Sequence, residues 1–135
     1  MTRVAPVTGF SHVQLLVTDV TASERWYSTV LGLEPFASDP AEGYVALRHR
    51  PSGVVVVLTE RGGEAEIEAQ VGGPLDHLAF AVPDGPTLES WADHLTTCGI
   101  EHAGIVLELG KPSLQLRDPD GISIELVAPP ARKGA

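Results

Sequence analysis

The chain has 135 residues, of which 43% are hydrophobic, and its formal net charge at pH 7 is −9. This length and apolar content suit one globular domain, and the acidic balance disfavours nucleic acids and anionic membranes as partners. No stretch is apolar enough to span a bilayer or form an export signal, so we expect a cytoplasmic protein. The only cysteine, Cys98, excludes an internal disulfide and a cysteine-based metal cluster.

The first predicted strand lies in FSHVQLLVTDV, residues 10–20. Its large aliphatic residues recur at every second position and share one face, so His12 and Gln14 share the other face. A helix is predicted next. It begins with a capping-box pattern at Thr21 and ends at Gly32, a residue suited to a left-handed helix end.

Apolar runs on either side of the turn sequence RPSG predict a β-hairpin after this helix. In the first run, YVALRHR, the alternation turns Tyr44 and Arg48 towards the face of His12, whereas alignment with the second half of the chain turns Arg48 the other way. Both orientations stay open, and in the first of them Tyr44 is a candidate substrate contact. Val57, in the second run, is a candidate apolar wall of the same site.

The second half of the chain repeats the first. LDHLAFAVPDG matches the first strand and sets His77 opposite His12, while DPDGISIELV matches RPSGVVVVLT and sets Glu125 opposite Val57. The first half therefore supplies a histidine without a carboxylate. Such a repeat predicts two copies of one supersecondary unit.

The whole chain is predicted to form one α+β domain of two tandem βαβββ modules, residues 9–60 and 74–128. In each module a strand and a helix precede three strands. The modules are joined by a linker rich in glycine and glutamate, residues 61–73.

His12, His77 and Glu125 each lie on the strand face opposite the large aliphatic residues. A buried carboxylate is costly unless it is paired or bound to a cation, so the three residues suggest a metal site if the modules bring them together. Two imidazoles and one carboxylate leave three positions open on an octahedral ion, as in mononuclear non-haem iron sites. We therefore predict one divalent metal ion per site, with Fe(II) favoured and Mn, Co, Ni or Zn as alternatives.

The sequence resembles the vicinal oxygen chelate superfamily, which includes glyoxalase I, extradiol dioxygenases, fosfomycin-resistance thiol transferases and bleomycin-resistance proteins. The resemblance lies in SHVQLLVTDVTASERWYSTVLGLEP, DHLAFAVPD and DPDGISIELV. It implies a cup-shaped mixed sheet, the glyoxalase/bleomycin resistance/dihydroxybiphenyl dioxygenase fold, with His12, His77 and Glu125 as metal ligands. It also implies a small-molecule substrate and a homodimer, in which modules are either exchanged between subunits or kept within one chain.

Among the activities of this family, extradiol-type dioxygenase chemistry is the one whose ligand set the sequence resembles most. Val57 stands where glyoxalase I has a further carboxylate, and Gln14 stands where fosfomycin transferases typically have threonine. Gln14 is a candidate substrate contact, and His102, in GIEHAGI, is a candidate catalytic acid or base. A glyoxalase-like isomerase or lyase, a thiol transferase and a non-catalytic drug- or metabolite-binding resistance protein stay open as alternatives.

Overall fold

The structure is a computed structural model that describes residues 4–6, 8–60 and 75–130. The first module contains β1 (Val13–Leu16), α1 (Val20–Leu31), β2 (Glu34–Asp39), β3 (Tyr44–His49) and β4 (Val54–Thr59). The second contains β5 (Leu78–Ala81), α2 (Gly85–Thr97), β6 (Val106–Glu108), β7 (Lys111–Arg117) and β8 (Ser123–Val127). The predicted linker lies outside the described residues.

Each module forms one four-stranded mixed sheet, with strand orders β1-β4-β3-β2 and β5-β8-β7-β6. The first strand of each module pairs in parallel with the last, and the other pairs are antiparallel. The repeat extends to the register, because Gln14 pairs with Val57 and Ala79 pairs with Glu125. The predicted α+β fold of two βαβββ modules is confirmed.

Both helices begin at an aspartate that lies in extended backbone. The carboxylate of Asp19 accepts a hydrogen bond from the Ala22 N–H at 3.0 Å, so the predicted start at Thr21 is wrong and Thr21 lies inside α1. The end of α1 is confirmed at Gly32, whose φ of 73° is left-handed. Asp84 caps α2 in the same way, accepting from the Thr87 N–H at 2.8 Å.

Each helix packs on one face of its sheet and so creates the apolar core. Leu15, Leu47 and Leu58 are fully buried in this core, where burial of one such side chain stabilises the fold by about 1.5–3 kcal/mol. Because Leu47 is buried there, its neighbour Arg48 lies on the opposite face of β3, together with Tyr44. The structure thus chooses the first of the two orientations that the sequence left open.

Contacts between the modules are made through α1 and its flanks. The Tyr27 hydroxyl donates a hydrogen bond to Asp118, in the turn between β7 and β8, at 2.8 Å. In the same turn Asp120 accepts one from the Thr18 hydroxyl at 2.6 Å. Among the described residues, no helix is long and apolar enough to cross a membrane.

Candidate metal centre

His12 and His77 each directly precede the first strand of their module, and each is held by the residue before it. The Nδ1–H of His77 donates to Asp76 Oδ2 at 2.6 Å, while His12 Nδ1 is hydrogen-bonded to Ser11 Oγ at 3.0 Å. These contacts occupy Nδ1 and leave Nε2 as the nitrogen with which either ring can bind a ligand.

In the second module the structure brings His77 and Glu125 together. His77 Nε2 lies 3.5 Å from Glu125 Oε2, because β5 and β8 are neighbours and both side chains lie on the sheet face turned away from α2. Glu125 is only 9% exposed. Its other oxygen, Oε1, accepts a hydrogen bond from Gln115 Nε2 at 3.3 Å. An imidazole nitrogen and a carboxylate oxygen therefore face each other, and each group is oriented by a hydrogen bond to another side chain.

The surroundings of this pair raise the pKa of both of its groups. Burial raises the pKa of Glu125, and nearby Glu108 adds to this rise while His77 opposes it. The hydrogen bond to Asp76 raises the pKa of His77. Both groups thus hold a proton more tightly than they would in water, and a metal ion that binds the pair displaces that proton.

A cavity of about 630 Å³ adjoins the pair. Its polar lining includes Glu108 and Lys111 as well as the pair itself, and Ala79 and Val127 contribute apolar wall. The volume is in the range of small-molecule sites, and convergent polar groups on an apolar wall are typical of them.

His12, the third predicted metal ligand, lies on the other sheet. Within the described ranges, no group of three or more histidine, cysteine, aspartate or glutamate side chains is positioned to hold a metal ion. One chain therefore brings His77 to Glu125 but does not add His12 to them.

The predicted substrate contacts lie on the first module. Gln14 is exposed beside half-buried Val57, and both share the sheet face of His12. Tyr44 is half-buried at the start of β3, where it lines a surface hollow with Glu24 of α1. Their roles in substrate binding stay predictions.

His102 has both ring nitrogens engaged near the end of α2. Nδ1 accepts a hydrogen bond from the Gly104 N–H at 3.2 Å, so the neutral ring carries its proton on Nε2, 2.9 Å from Thr96 Oγ1. The ring lines a hollow that also includes Gln115, the hydrogen-bond partner of Glu125. Its predicted acid or base role stays a prediction.

Sequence reasoning missed Asp76 and Gln115, which hold His77 and Glu125 in place. Asp76 could have been found from the repeat, since it occupies the position of Ser11 in the first module. Gln115 could have been found from the alternation in β7, where it lies between buried Leu114 and Leu116 and so faces the other way.

Comparison with known proteins agrees with this architecture. The family model of the Glyoxalase/Bleomycin resistance protein/Dioxygenase superfamily matches residues 9–126. The chain belongs to this superfamily.

One relative is the putative ring-cleaving dioxygenase MhqA of Bacillus subtilis (strain 168). The alignment is 128 residues long with 27% identity, and it covers 87% of this chain and 39% of MhqA. The chain thus spans well under half of that relative's length, so the activity of the whole relative does not transfer directly to this chain.

Two crystal structures illustrate the shared fold. A glyoxylase/bleomycin resistance protein/dioxygenase domain from Frankia sp. EAN1pec has a TM-score of 0.80 and 27% identity, with 96% of each chain covered. The fosfomycin resistance protein FosX of Listeria monocytogenes, in complex with Mn(II) and sulfate, has a TM-score of 0.70 and 18% identity, with 91% of each chain covered. The second likeness concerns the fold alone.

Proposed function

We propose that this protein is a divalent-metal-dependent enzyme that acts on a small substrate with two neighbouring oxygen atoms, in a dioxygenase-like reaction. The observation that carries this proposal is the pair of donor atoms His77 Nε2 and Glu125 Oε2, 3.5 Å apart beside a cavity of small-molecule size. Packing of the core does not require a histidine and a carboxylate to face each other in this way, so the pair indicates a functional site.

The residues fit a metal ion. His77 and Glu125 would hold it from the second module and His12 from the first. When bound, a divalent ion supplies Lewis-acid activation of the substrate oxygens and, as Fe(II), reactivity towards dioxygen. Asp76 fixes the His77 ring with Nε2 towards Glu125, and Gln115 keeps the Glu125 carboxylate oriented.

We propose further that His12 reaches the site from a second copy of the chain, so that the enzyme is a homodimer with exchanged modules. Two observations support this. His12 lies apart from the other two ligands within one chain. Phe10, two residues before His12, and Leu109, which lines the cavity, are fully exposed apolar side chains that a partner subunit would cover.

Val57, the neighbour of Gln14 on β4, favours ring cleavage over glyoxalase-type isomerisation. Val57 occupies the register position in the first module that Glu125 occupies in the second, so no fourth oxygen ligand comes from there. The similarity to a putative ring-cleaving dioxygenase supports the same choice.

The test is metal binding followed by oxygen consumption. Protein purified without chelator and loaded with Fe(II) under anaerobic conditions should bind one ion per site and consume oxygen when catechols are added. His77→Ala should lose most of the metal and the oxygen uptake. His49→Ala is the matched control, because His49 is an exposed histidine at the end of β3, and its removal should leave both unchanged.

Two results would contradict the proposal. One is a wild-type protein that binds no divalent ion. The other is a metal-loaded protein that consumes no oxygen with any catechol but rapidly isomerises the hemithioacetal of methylglyoxal and glutathione, which would make it a glyoxalase-like enzyme.

A further inference from the structure

Arg48 lies on the same sheet face as His12 and at the same level of the sheet. The register pairs Arg48 with Val55 across β3 and β4, and the pairing of Val13 with Val56 continues to set His12 opposite Val55. Since neighbouring strands lie about 4.8 Å apart, two strand spacings separate Arg48 from the residue that precedes β1, a distance on the order of 10 Å between backbones with β4 between them.

The guanidinium of Arg48 is held in place, and one of its donors is left without a partner. Its Nε atom is buried and has no hydrogen-bond partner. The ring of Phe36 packs against it, with the guanidinium carbon 4.7 Å from the ring centroid. Glu34 is its direct neighbour across the β2–β3 ladder, yet among the described residues no ion pair or hydrogen bond to the Arg48 side chain is formed.

The position of this unpaired charge is also distinctive. Arg48 is the only lysine or arginine in the four strands of the first module. A guanidinium has five N–H donors, and a buried donor without a partner is costly, so native structures rarely keep one without a reason. A fixed, partly desolvated cation on a ligand-facing surface is the arrangement that binds an anion.

We propose that Arg48 binds a carboxylate on the substrate, so that the substrate is a carboxylate-bearing vicinal diol. This inference rests on the proposed function, because it places the diol at His12 and its metal. Because Arg48 and His12 lie two strands apart on one face, a molecule of one aromatic ring can present its anion to Arg48 and its diol towards His12. A carboxylate is favoured over a phosphate because one planar guanidinium matches its single charge and its two oxygens.

The experiment compares two probes that differ only in the carboxylate, catechol and 3,4-dihydroxybenzoate. Their dissociation constants are measured by calorimetry on the full chain loaded with Mn(II) under anaerobic conditions, so that binding is observed without turnover. Wild-type protein should bind 3,4-dihydroxybenzoate about tenfold or more tightly than catechol. Arg48→Met should abolish this preference and leave the affinity for catechol unchanged, and Arg48→Lys should retain part of the preference.

Two control variants separate local binding from general charge. Arg50→Met removes the same charge from an exposed turn position two residues away and should keep the wild-type preference. Glu34→Gln removes the only carboxylate directly opposite Arg48 and should keep or increase it. If Arg48→Met keeps the preference, or if Arg50→Met loses it equally, the proposal is overturned.

The remaining outcomes are also decisive. Sedimentation of Arg48→Met as a monomer, with the wild type as a dimer, would make Arg48 a subunit contact and overturn the proposal. If the wild type binds Mn(II) but neither diol, the proposed function fails, and titration of metal-free protein with benzoate then decides the role of Arg48. Weak benzoate binding by the wild type that is lost in Arg48→Met supports a carboxylate site. Equal benzoate binding by the wild type and Arg48→Met overturns it.

Discussion

The side chains that hydrogen-bond to His77 and Glu125 are expected to set how tightly the proposed metal ion binds to the second module. Asp76 is 94% exposed and contributes nothing to the core, yet its carboxylate fixes the Nδ1 side of His77. Groups that hydrogen-bond to a ligating histidine orient the ring and increase its basicity.

Asp76→Ala is therefore expected to weaken metal binding without weakening the fold. A loss of about 10- to 100-fold in affinity is typical for removal of such a partner, and the thermal unfolding midpoint should not change. Affinity is measured by competition with a chromophoric chelator for Zn(II). Asp93→Ala is the control, because it removes the same charge from an exposed position of α2. Equal affinities of the two variants would mean that Asp76 does not support His77.

For single residues, the sequence predicts which face of a strand a side chain lies on, but it does not predict which side chains come close together. Alternation in three strands predicts that His12, His77 and Glu125 face away from the aliphatic core, and the register agrees for Glu125. Alternation could not predict which of the three would meet. That depends on how the modules pack, which is a property of the tertiary structure.

Among the elements, the turn between β7 and β8 links the two modules through a buried carboxylate. Asp118 Oδ1 accepts hydrogen bonds from the N–H groups of Asp120 and Ile122, and Oδ2 accepts one from the Tyr27 hydroxyl. Burial raises the pKa of Asp118 despite these hydrogen bonds, and burial together with Asp118 raises the pKa of Tyr27.

The raised pKa of Asp118 makes the free energy of unfolding depend on pH. Because the folded state holds the Asp118 proton more tightly than the unfolded state, its contribution to the free energy of unfolding is fully present below about pH 4 and is lost as the pH rises through the folded-state pKa. Asp118→Asn cannot ionise, and its amide can keep both backbone hydrogen bonds. The variant should therefore lose less stability than the wild type between pH 4 and pH 7.

Urea unfolding at both pH values measures this difference. Asp93→Asn, which changes an exposed carboxyl group, should retain the pH dependence of the wild type. A parallel pH dependence of Asp118→Asn and wild type would show that Asp118 does not titrate differently in the folded state.

Most elements could be predicted because their local signals agree with the packing. Gly32 ends α1 as its conformational freedom suggests, and the turn sequence RPSG forms the predicted connection between β3 and β4. The start of α1 was missed because Asp19 and Thr21 are both good capping residues, and only the backbone decides which of them is extended. Which face of β3 carries Arg48 could be decided only from the observed burial of Leu47.

At the scale of the whole molecule, the two modules meet through α1, while the faces that carry the predicted metal ligands belong to separate sheets. Sequence could not predict this, since a repeat specifies two similar modules but not which copy supplies each half of a site. The proposed exchange of modules makes a prediction that a site within one chain does not make.

That prediction concerns mixtures of two inactive variants. In an exchanged dimer of His12→Ala with His77→Ala, one site loses both histidines and the other keeps all three ligands. Equimolar co-refolding should therefore restore about one quarter of the wild-type metal capacity, because half of the dimers are mixed and each has one intact site of two. Bound Mn(II) is counted after gel filtration. The matched control mixes His77→Ala with Glu125→Ala, whose changes lie in the same module, so that no dimer contains an intact site. If both mixtures bind equally little metal, each site is built within one chain and the modules are not exchanged.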